Sequence, residues 1–381
     1  MSEEHHFDYI IVGNGLAGLQ LALEFKNDVF FNTKKIALID VSEKLENDKT
    51  WSFWENNSTH LSHLAYKQWD YAKILTSKNN LTLHLDPYNY KSIRSIDFYN
   101  YAKTQLKKCS NVEFIIDKVI DIEDGERVTV KSSDNTYYAS HVFDSRIPNN
   151  FNHDVKNYIT LIQHFKGWVI ETDQDSFDDE VFTKMDYRLK DGEQTTFMYV
   201  LPYSKKEALI EFTYFTENVV DEITYDTFIK KYIEEYLDIS NYKIKETEMG
   251  KIPMTTFPFH KYNTNTITKI GTAGGWVKPS SGYSFKITQQ KVKKIISNLK
   301  HDKKPSHKLF NRKYFFFDKV FLQVLKENNH EGDLIFQEFY RKNNTITMFK
   351  FLDEESTFLQ DLKIMISLFS FKFVKAFFKT L

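Results

Sequence analysis

The residues best suited to chemistry lie near the start of the chain, where three glycines and an acid have the spacing of a dinucleotide site. Gly13, Gly15 and Gly18 form a G-x-G-x-x-G segment, and Asp40 follows at about the 20-residue distance of that fingerprint. Such a loop binds a pyrophosphate with backbone N–H groups, and the acid accepts hydrogen bonds from a ribose hydroxyl. Because the acid would repel a 2′-phosphate, the pattern predicts FAD or NAD rather than NADP.

A second candidate is Glu211, which lies in an apolar run at residues 208–216. The run alternates as a β-strand does, so Glu211 shares a face with Leu209 and Phe215. A carboxyl group on an apolar face is costly to ionise, so its pKa would rise and it would donate a proton near neutral pH. If this face meets water instead, Glu211 is an ordinary solvated carboxylate. The strand pattern alone leaves both interpretations open.

A second glycine-rich segment, residues 271–285, reads GTAGGWVKPSSGYSF and follows an apolar run at 267–270. Strand, G-x-A loop, P-x-x-G and helix have the order of the second flavin contact in two-domain flavoproteins. Backbone N–H groups at such a helix start can bind the flavin N1/O2 edge and favour its anionic reduced form. Many such proteins have G-D where this chain has Gly271-Thr272, so a threonine hydroxyl would have to replace the acid at the ribityl chain.

Aromatic residues are unusually frequent, with 34 Phe, 22 Tyr and 5 Trp. This content is explained either by codon bias, since Asn, Lys and Ile are also frequent, or by a protein that holds a large apolar ligand. Trp51, Phe53 and Trp54 stand together after the loop that follows Asp40. They form either a small satellite core under that loop or an aromatic wall beside a cofactor. Arg94, just before a predicted helix, is either a surface or capping residue or a contact of the pyrophosphate or ribitol.

Several strand and helix patterns would position these residues. Apolar strands at 9–12 and 36–39, with a helix between them, predict a Rossmann-like unit. Strand patterns at 112–116, 127–131 and 137–144 predict a small meander sheet over that unit, as in FAD-binding folds of the glutathione-reductase type. The chain is therefore expected to have an α/β fold.

Later strands alternate and are joined by short polar turns, which is typical of an antiparallel sheet. They lie at residues 161–171, 195–202 and 208–216. We predict a Rossmann-like FAD-binding domain with an inserted antiparallel-sheet substrate domain and a C-terminal helical region. The predicted ranges are 1–150 with 248–300 for the FAD-binding domain, 151–247 for the substrate domain and 301–381 for the helical region.

The composition argues against several classes of protein. A net charge of −1, from 51 basic and 52 acidic residues, gives no reason to expect nucleic acid. With Cys109 as the one cysteine, neither a disulfide within the chain nor a cysteine metal site can form, and we predict no metal. We see no signal peptide, and no run of about 18 apolar residues that would span a membrane.

The end of the chain, residues 358–381, reads FLQDLKIMISLFSFKFVKAFFKTL, in which four lysines interrupt a dense apolar set. Such a segment is either an interfacial helix with its apolar side in a bilayer or an ordinary core helix. The first interpretation would suit an enzyme whose substrate lives in the membrane.

Taken together, these motifs resemble the bacterial FAD-dependent lycopene β-cyclase family. Besides the glycine motif, the matches are T-W-S-F-W at 50–54, F-D-S-R at 143–146, L-P-Y-S and L-I-E-F-T within 201–213, and K-P-S-S-G-Y-S at 278–284. They occur in family order over about residues 8–285. The segment F-Q-E-F-Y at 336–340 resembles the C-terminal helices of the family.

The resemblance implies a non-redox isomerisation that closes the linear ends of lycopene, or a related acyclic carotenoid, into β-ionone rings. Glu211 would be the general acid. Reduced FAD would stabilise the cationic transition state, and NAD(P)H would visit transiently to reduce the FAD. The protein would be cytoplasmic and peripherally associated with the inner face of the cell membrane.

The resemblance and the motifs together predict two sets of site residues. The residues expected to line the substrate and its cation are Trp51, Phe53, Trp54, Phe215 and Tyr283. The residues expected to bind the cofactor are Gly13, Gly15, Leu16, Ala17, Gly18, Asp40, Arg94, Gly271, Thr272, Gly274, Pro279, Gly282 and Tyr283.

Two other functions remain open at the level of sequence. The same fold serves flavin monooxygenases, halogenases and isoprenoid reductases, which consume NAD(P)H or oxygen in step with product. A carotenoid- or flavin-binding carrier without catalysis is a third interpretation, which predicts that Glu211 is dispensable.

Overall fold

The computed structural model describes residues 5–381. Within that range the strands form three sheets. The strands are β1 (His5–Val12), β2 (Ile36–Asp40), β3 (Thr50–Glu55), β4 (Lys67–Trp69), β5 (Tyr71–Leu75), β6 (Asn80–His84), β7 (Asn89–Arg94), β8 (Val112–Ile116), β9 (Val119–Glu123), β10 (Val128–Ser132), β11 (Thr136–Asp144), β12 (Thr160–Glu171), β13 (Val181–Asp186), β14 (Thr196–Pro202), β15 (Glu207–Thr216), β16 (Lys243–Thr255) and β17 (Ile267–Lys269). The α-helices are α1 (Leu16–Asn27), α2 (Ser95–Leu106), α3 (Phe151–Asp154), α4 (Glu222–Glu235), α5 (Phe285–Lys300), α6 (Arg312–Glu327), α7 (Gly332–Lys342), α8 (Thr345–Leu352), α9 (Phe358–Ser367) and α10 (Phe371–Thr380).

The first sheet has the order β8-β2-β1-β11-β10-β9, with β17 beside β11. Strands β8, β2, β1, β11 and β17 are parallel, whereas β9, β10 and β11 form an antiparallel meander. The predicted strands at 9–12 and 36–39, and the helix between them, are confirmed. The prediction that residues 112–116 belong to the meander is wrong. Helix α2 precedes β8 and packs beside α1, and such a crossover favours parallel pairing at the far edge.

The second sheet has the order β16-β12-β15-β14-β13-β5-β6 and is antiparallel except between β13 and β5. Helix α4 packs against one of its faces. The sheet does not keep to the predicted range 151–247, because β5 and β6 come from residues 71–84 and β16 continues to Thr255. Ala72 and Ile74 of β5 bury their side chains in the same core as β13 and β15, and this shared core joins strands that are distant in sequence.

The third sheet is small and has the order β3-β7-β4. It carries the aromatic T-W-S-F-W segment in β3, which pairs with β7 in antiparallel register. The two faces of β3 meet different cores. Phe53 packs in the core of α1, α2 and α5, and Trp54 packs in the core between the second sheet and the C-terminal helices.

The predicted C-terminal helical region consists of α6 to α10. Its inner side covers the face of the second sheet that α4 leaves free. Leu322, Phe336 and Met348 from these helices pack with Leu209 and Phe215 of β15. None of the helices within residues 5–381 is both long and apolar enough to cross a lipid bilayer.

Candidate active site

A cavity of about 1040 Å³ lies where the first sheet, the second sheet and the C-terminal helices meet. Its walls include the G-x-G-x-x-G loop, the glycine segment at 271–285, β3, the inner face of the second sheet, and residues of helices α6 to α10. The two predicted nucleotide-binding segments and the strand of Glu211 therefore border one space.

Each glycine of the first loop has a separate structural role. Gly13 has φ +101°, and a Cβ there would collide with the hydroxyl oxygen of Ser145. A Cβ on Gly18 would collide with the carbonyl oxygen of Gly13, so α1 packs closely against the loop. A Cβ on Gly15 would meet nothing within 4 Å. The open space at Gly15 adjoins the first N–H groups of α1, which have no partner within the helix and favour an anion.

Asp40 ends β2 and holds this loop in place. Its carboxylate accepts hydrogen bonds from the backbone N–H of Asn14 at 2.6 Å and of Ser42 at 2.9 Å. The acid is half-buried and lies beside the glycine turn, but it is not among the residues that line the cavity.

The second glycine segment reaches the same cavity. Gly271 has φ +60°, and a Cβ there would lie 3.3 Å from the Cβ of Ala17, so the two loops are in contact. Gly282 has φ +71°, and a Cβ there would collide with the side-chain oxygen of Gln163. Of the predicted cofactor residues in this segment, those that line the cavity are Gly271, Thr272, Gly282 and Tyr283. Gly274 and Pro279 border a smaller pocket behind it.

Buried polar atoms beside these loops lack protein partners. Asn14 Oδ1, Gln163 Oε1 and Ser281 Oγ form no hydrogen bond within the described part of the chain. Buried polar atoms are normally satisfied, and Gln163 and Ser281 line the cavity, so their unpartnered oxygen atoms are available to a ligand. Together with the open space at Gly15, they fit a dinucleotide with a polar ring system such as FAD.

Arg94 is held elsewhere. Its guanidinium group lies 2.6 Å from Glu246 and stacks over the ring of Tyr66 at 5.4 Å. Arg94 is not among the residues that line the cavity. In this structure the side chain joins the third sheet to β16 rather than reaching the predicted pyrophosphate position.

Glu211 is a buried acid on the cavity wall. Its side chain is 7% exposed. Leu209 and Phe215 share its face, and the opposite face of β15 packs against α4. Burial raises the pKa of Glu211 well above its ordinary value, and the charge of Glu248 raises it further, although a 2.6 Å hydrogen bond from Thr213 acts in the other direction. Its burial excludes the solvated interpretation of Glu211, and the raised pKa favours the protonated form of the carboxyl group.

The predicted aromatic lining is partly wrong. Trp51, Phe215 and Tyr283 line the cavity. Phe53 instead stacks on Phe285, with ring centroids 4.2 Å apart, and Trp54 stacks on Phe349 at 4.5 Å. Both are buried core residues, because each face of β3 is covered by a different layer of the protein.

Lys184 of β13 is a cavity residue that the sequence did not indicate. Its side chain is 4% exposed and lies within 6 Å of four aromatic rings, those of Trp54, Tyr90, Tyr283 and Tyr340. Its amine donates a 2.9 Å hydrogen bond to the hydroxyl of Tyr283. Burial lowers the pKa of Lys184 to about 7. The strand β13 itself was not recognised, so nothing marked this lysine.

Glu248 of β16 is the second such residue. Its carboxylate lines the cavity and accepts a 2.8 Å hydrogen bond from the hydroxyl of Thr50. Burial raises the pKa of Glu248 to about 7, and the neighbouring charge of Glu246 adds to the rise. The surrounding sequence KETEMG reads as a polar surface run, so no sequence signal points to a half-buried acid on a cavity wall. Within residues 5–381 no group of three or more His, Cys, Asp or Glu residues is arranged to hold a metal ion.

Solved flavoprotein structures share this fold. A geranylgeranyl bacteriochlorophyll reductase-like protein from Thermoplasma acidophilum gives a TM-score of 0.62 over 99% of this chain and 100% of its own, at 10% identity. A flavoprotein/dehydrogenase from Cytophaga hutchinsonii gives 0.60 over 92% and 93%, at 13% identity. A halogenase in complex with FAD gives 0.56 over 90% and 78%, at 12% identity. The predicted fold class is confirmed, and at these identities the likeness concerns the fold alone.

No curated protein matches the sequence. The family described as Lycopene cyclase protein, however, matches residues 8–380. This match spans nearly the whole chain and agrees with the motifs at the glycine loop, β3, β15 and the second glycine segment. The chain belongs to the lycopene cyclase family.

Proposed function

We propose that this protein is a lycopene β-cyclase, which closes the linear ends of lycopene or a related acyclic carotenoid into β-ionone rings without net oxidation. One observation carries the proposal. Glu211 is a buried acid whose raised pKa favours its protonated form, and it lies in a large cavity that also borders the two glycine-rich segments predicted to bind a nucleotide. An acid-catalysed cyclisation needs such a donor in a dry space.

Glu211 gives its proton to the terminal C1=C2 double bond and leaves a tertiary cation at C1. The C5=C6 double bond attacks C1, and loss of a proton from C6 completes the ring. Trp51, Phe215 and Tyr283 exclude water, which would otherwise trap the cation as an alcohol. Their rings also stabilise a nearby cation by about 0.5–2 kcal/mol each where the geometry is favourable.

The glycine loops would hold FAD. Gly13, Gly15 and Gly18 would accommodate the pyrophosphate at the start of α1, and Asp40 the ribose. Gly271, Thr272 and Gly282, with Gln163 and Ser281, would face the ribityl chain and the ring system. Reduced FAD, when bound, would supply an anionic, electron-rich ring that stabilises positive charge. NAD(P)H would act as a transient reductant.

The C-terminal helices would dock on the membrane that holds the substrate. Phe371 and Phe378 of α10 are 82% and 69% exposed, and Phe369 and Phe377 beside them line the cavity. An apolar surface at the rim of the cavity would let a carotenoid pass without crossing water. Lysines 372, 375 and 379 pair with carboxylates of the protein, so this docking would rest on apolar side chains rather than on lysine contacts with lipid phosphates. The protein would then act at the cytoplasmic face of the membrane.

The proposal is tested by expressing the protein in cells that accumulate lycopene and separating the pigments by chromatography. β-Carotene or γ-carotene should replace lycopene. Unchanged lycopene in cells that contain the folded flavoprotein would contradict the proposal. Anaerobic turnover with prereduced FAD separates a cyclase from a monooxygenase, halogenase or reductase, because only a cyclase continues beyond one equivalent.

A further inference from the structure

Three neighbouring strands place two carboxyl groups on either side of a glycine. Gly167 of β12 pairs with Glu211 of β15 on one side and with Glu248 of β16 on the other. Residues that pair directly across antiparallel strands point to the same face of a sheet. Both acids therefore project from the face that forms the cavity wall, with backbones two strand spacings apart, about 10 Å. Both line the cavity.

Gly167 leaves no side chain of β12 between the two acids. A Cβ at this position would lie 2.9 Å from Leu209 Cδ1 and 3.4 Å from Glu211 Cβ. The adjacent position on the same face of β12 carries a large ring, Phe165. Gly167 is therefore a position at which β12 places no side chain between the two acids.

The surroundings of the two acids give them different protonation states. Glu211 is fully enclosed, whereas Glu248 is half-buried. Each has one hydroxyl donor, Thr213 for Glu211 and Thr50 for Glu248. The pKa of Glu248 rises to about 7 through burial, and the pKa of Glu211 rises further above its ordinary value through burial and the charge of Glu248. As the pH rises, Glu248 therefore ionises before Glu211, and between these two steps the pair consists of one acid and one carboxylate.

We infer that Glu248 is the general base of the reaction and removes the proton from C6, whereas Glu211 is the acid. This inference rests on the proposed cyclase function. It adds a second catalytic carboxylate, contributed by β16, to the single acid that the strand β15 supplies.

The proposed steps balance in atoms and charge. Glu211 loses its proton to C2, the C1–C6 bond forms with the electrons of C5=C6, and the positive charge moves to C5. The Glu248 carboxylate takes the C6 proton, and the C5=C6 double bond re-forms. Glu211 is then a carboxylate and Glu248 an acid. Water that enters after product release returns the proton from Glu248 to Glu211.

The test compares wild-type protein with Glu248→Gln and Glu211→Gln, each loaded with FAD and reduced, on lycopene in liposomes made with D2O. Wild-type protein should form β-rings, and their absence would reject the cyclase function itself. Glu248→Gln should form β-rings at least 100-fold more slowly. It should still protonate the substrate, so recovered lycopene gains deuterium, or rings appear with the double bond displaced from C5=C6 or a hydroxyl added. Glu211→Gln should do neither.

Two results for Glu248→Gln would overturn the inference while leaving the cyclase function intact. One is β-ring formation by Glu248→Gln within threefold of wild type. The other is a Glu248→Gln protein that binds FAD normally but neither forms rings nor incorporates deuterium, because Glu248 would then act before proton loss. Glu248→Asp, which keeps a carboxylate, should recover β-ring formation at least tenfold over the Gln variant, and failure of that recovery in a folded protein also counts against the inference. Glu171→Gln is the matched control, because Glu171 lies at the end of β12 with its side chain 44% exposed and paired with Lys245.

Discussion

The hydroxyl groups of Tyr90 and Tyr283 lie 2.8 Å apart and join the third sheet to the second glycine segment. Tyr283 also accepts a hydrogen bond from Lys184, and Tyr90 lies 2.9 Å from the hydroxyl of Tyr199. Tyr199 pairs with Glu211 across β14 and β15. A series of hydroxyls thus connects a buried amine to the neighbourhood of the buried acid. Since a positive charge would oppose a carbocation, the charge state of Lys184 matters to the site.

Replacing Lys184 with methionine should stabilise the protein at low pH. Burial lowers the pKa of Lys184 from 10.5 to about 7, so the folded state bears the full cost of a buried charge below pH 7. That cost falls as the pH rises from 7 towards 10.5, because the folded protein loses a proton that the unfolded chain keeps. Lys184→Met should raise the free energy of unfolding by about 1–3 kcal/mol at pH 6 and flatten its rise with pH.

Chemical denaturation at several pH values measures this effect. Lys230→Met, on the exposed side of α4, is the control and should change stability little. A loss of stability at pH 6 in Lys184→Met would mean that the aromatic rings and the Tyr283 hydroxyl more than compensate the buried charge.

Two alanine substitutions in the glycine loop should affect different properties, FAD binding in one case and stability in the other. A Cβ on Gly15 enters open space, so Gly15→Ala should leave the stability of the cofactor-free protein unchanged but weaken FAD binding at least about tenfold. A Cβ on Gly18 collides with the carbonyl oxygen of Gly13, so Gly18→Ala should lower stability before any ligand is added. Thermal melts without FAD and flavin fluorescence titrations separate the two effects. Equal FAD affinity for Gly15→Ala and wild type would place the pyrophosphate elsewhere.

The apolar C-terminal surface should control membrane binding. Each of Phe371 and Phe378 would contribute about 1.5–3 kcal/mol if fully buried in lipid, so changing both to Asp should weaken vesicle binding at least about tenfold. Flotation with vesicles of neutral lipid measures the binding. Val29→Asp, at an exposed position beyond α1, is the control. Unchanged flotation of the folded double variant would remove α10 from the docking surface.

Ring formation should depend on pH through the two acids of the cavity. The rate should rise with pH as Glu248 ionises near pH 7, and fall at higher pH as Glu211 loses its proton. Lys184 also titrates near pH 7 and faces the same cavity, and Glu246 lies two residues along β16 with its charge shared by Arg94.

The rising limb should therefore persist in Lys184→Met and disappear in Glu248→Gln. Initial rates of β-ring formation between pH 5.5 and 9 provide the measurement. A limb that vanishes with Lys184 instead would assign the titration to the amine.

The features predicted from sequence depend mainly on residues close together in the chain. The glycine loop, the flanking strands and α1 form one continuous segment, so the local sequence pattern is sufficient to predict them. The alternation of β15 likewise placed Glu211 on the face of Leu209 and Phe215. The strand pattern does not show whether that face is exposed to solvent, because the helices that cover it, α6 and α7, lie more than 90 residues away in the sequence.

The features that were missed depend on contacts between distant segments. Glu248 lies in a polar run, and its burial arises from pairing with β12 and from Thr50, 198 residues earlier. The sequence predicts that Phe53 and Trp54 both line the cavity. In the structure Phe53 stacks on Phe285 and Trp54 on Phe349, so the two rings lie in separate cores. The sequence pattern of β8 predicts a strand but does not reveal its partner, so the prediction that it joins the meander is wrong. The hydrophobic period and the composition of a segment indicate that it forms a strand. Which strand it pairs with, and which layer covers each of its faces, depend on the complete fold.

The most direct test of the account is the fate of lycopene under anaerobic conditions with purified protein and prereduced FAD, for wild type and Glu211→Gln. Wild-type protein should form β-rings over many turnovers. Glu211→Gln, with FAD binding and circular dichroism unchanged, should form them at least about 10²–10⁴-fold more slowly, because the amide cannot supply the proton. Ring formation by Glu211→Gln at the wild-type rate would show that the proton comes from another group and would contradict the central claim.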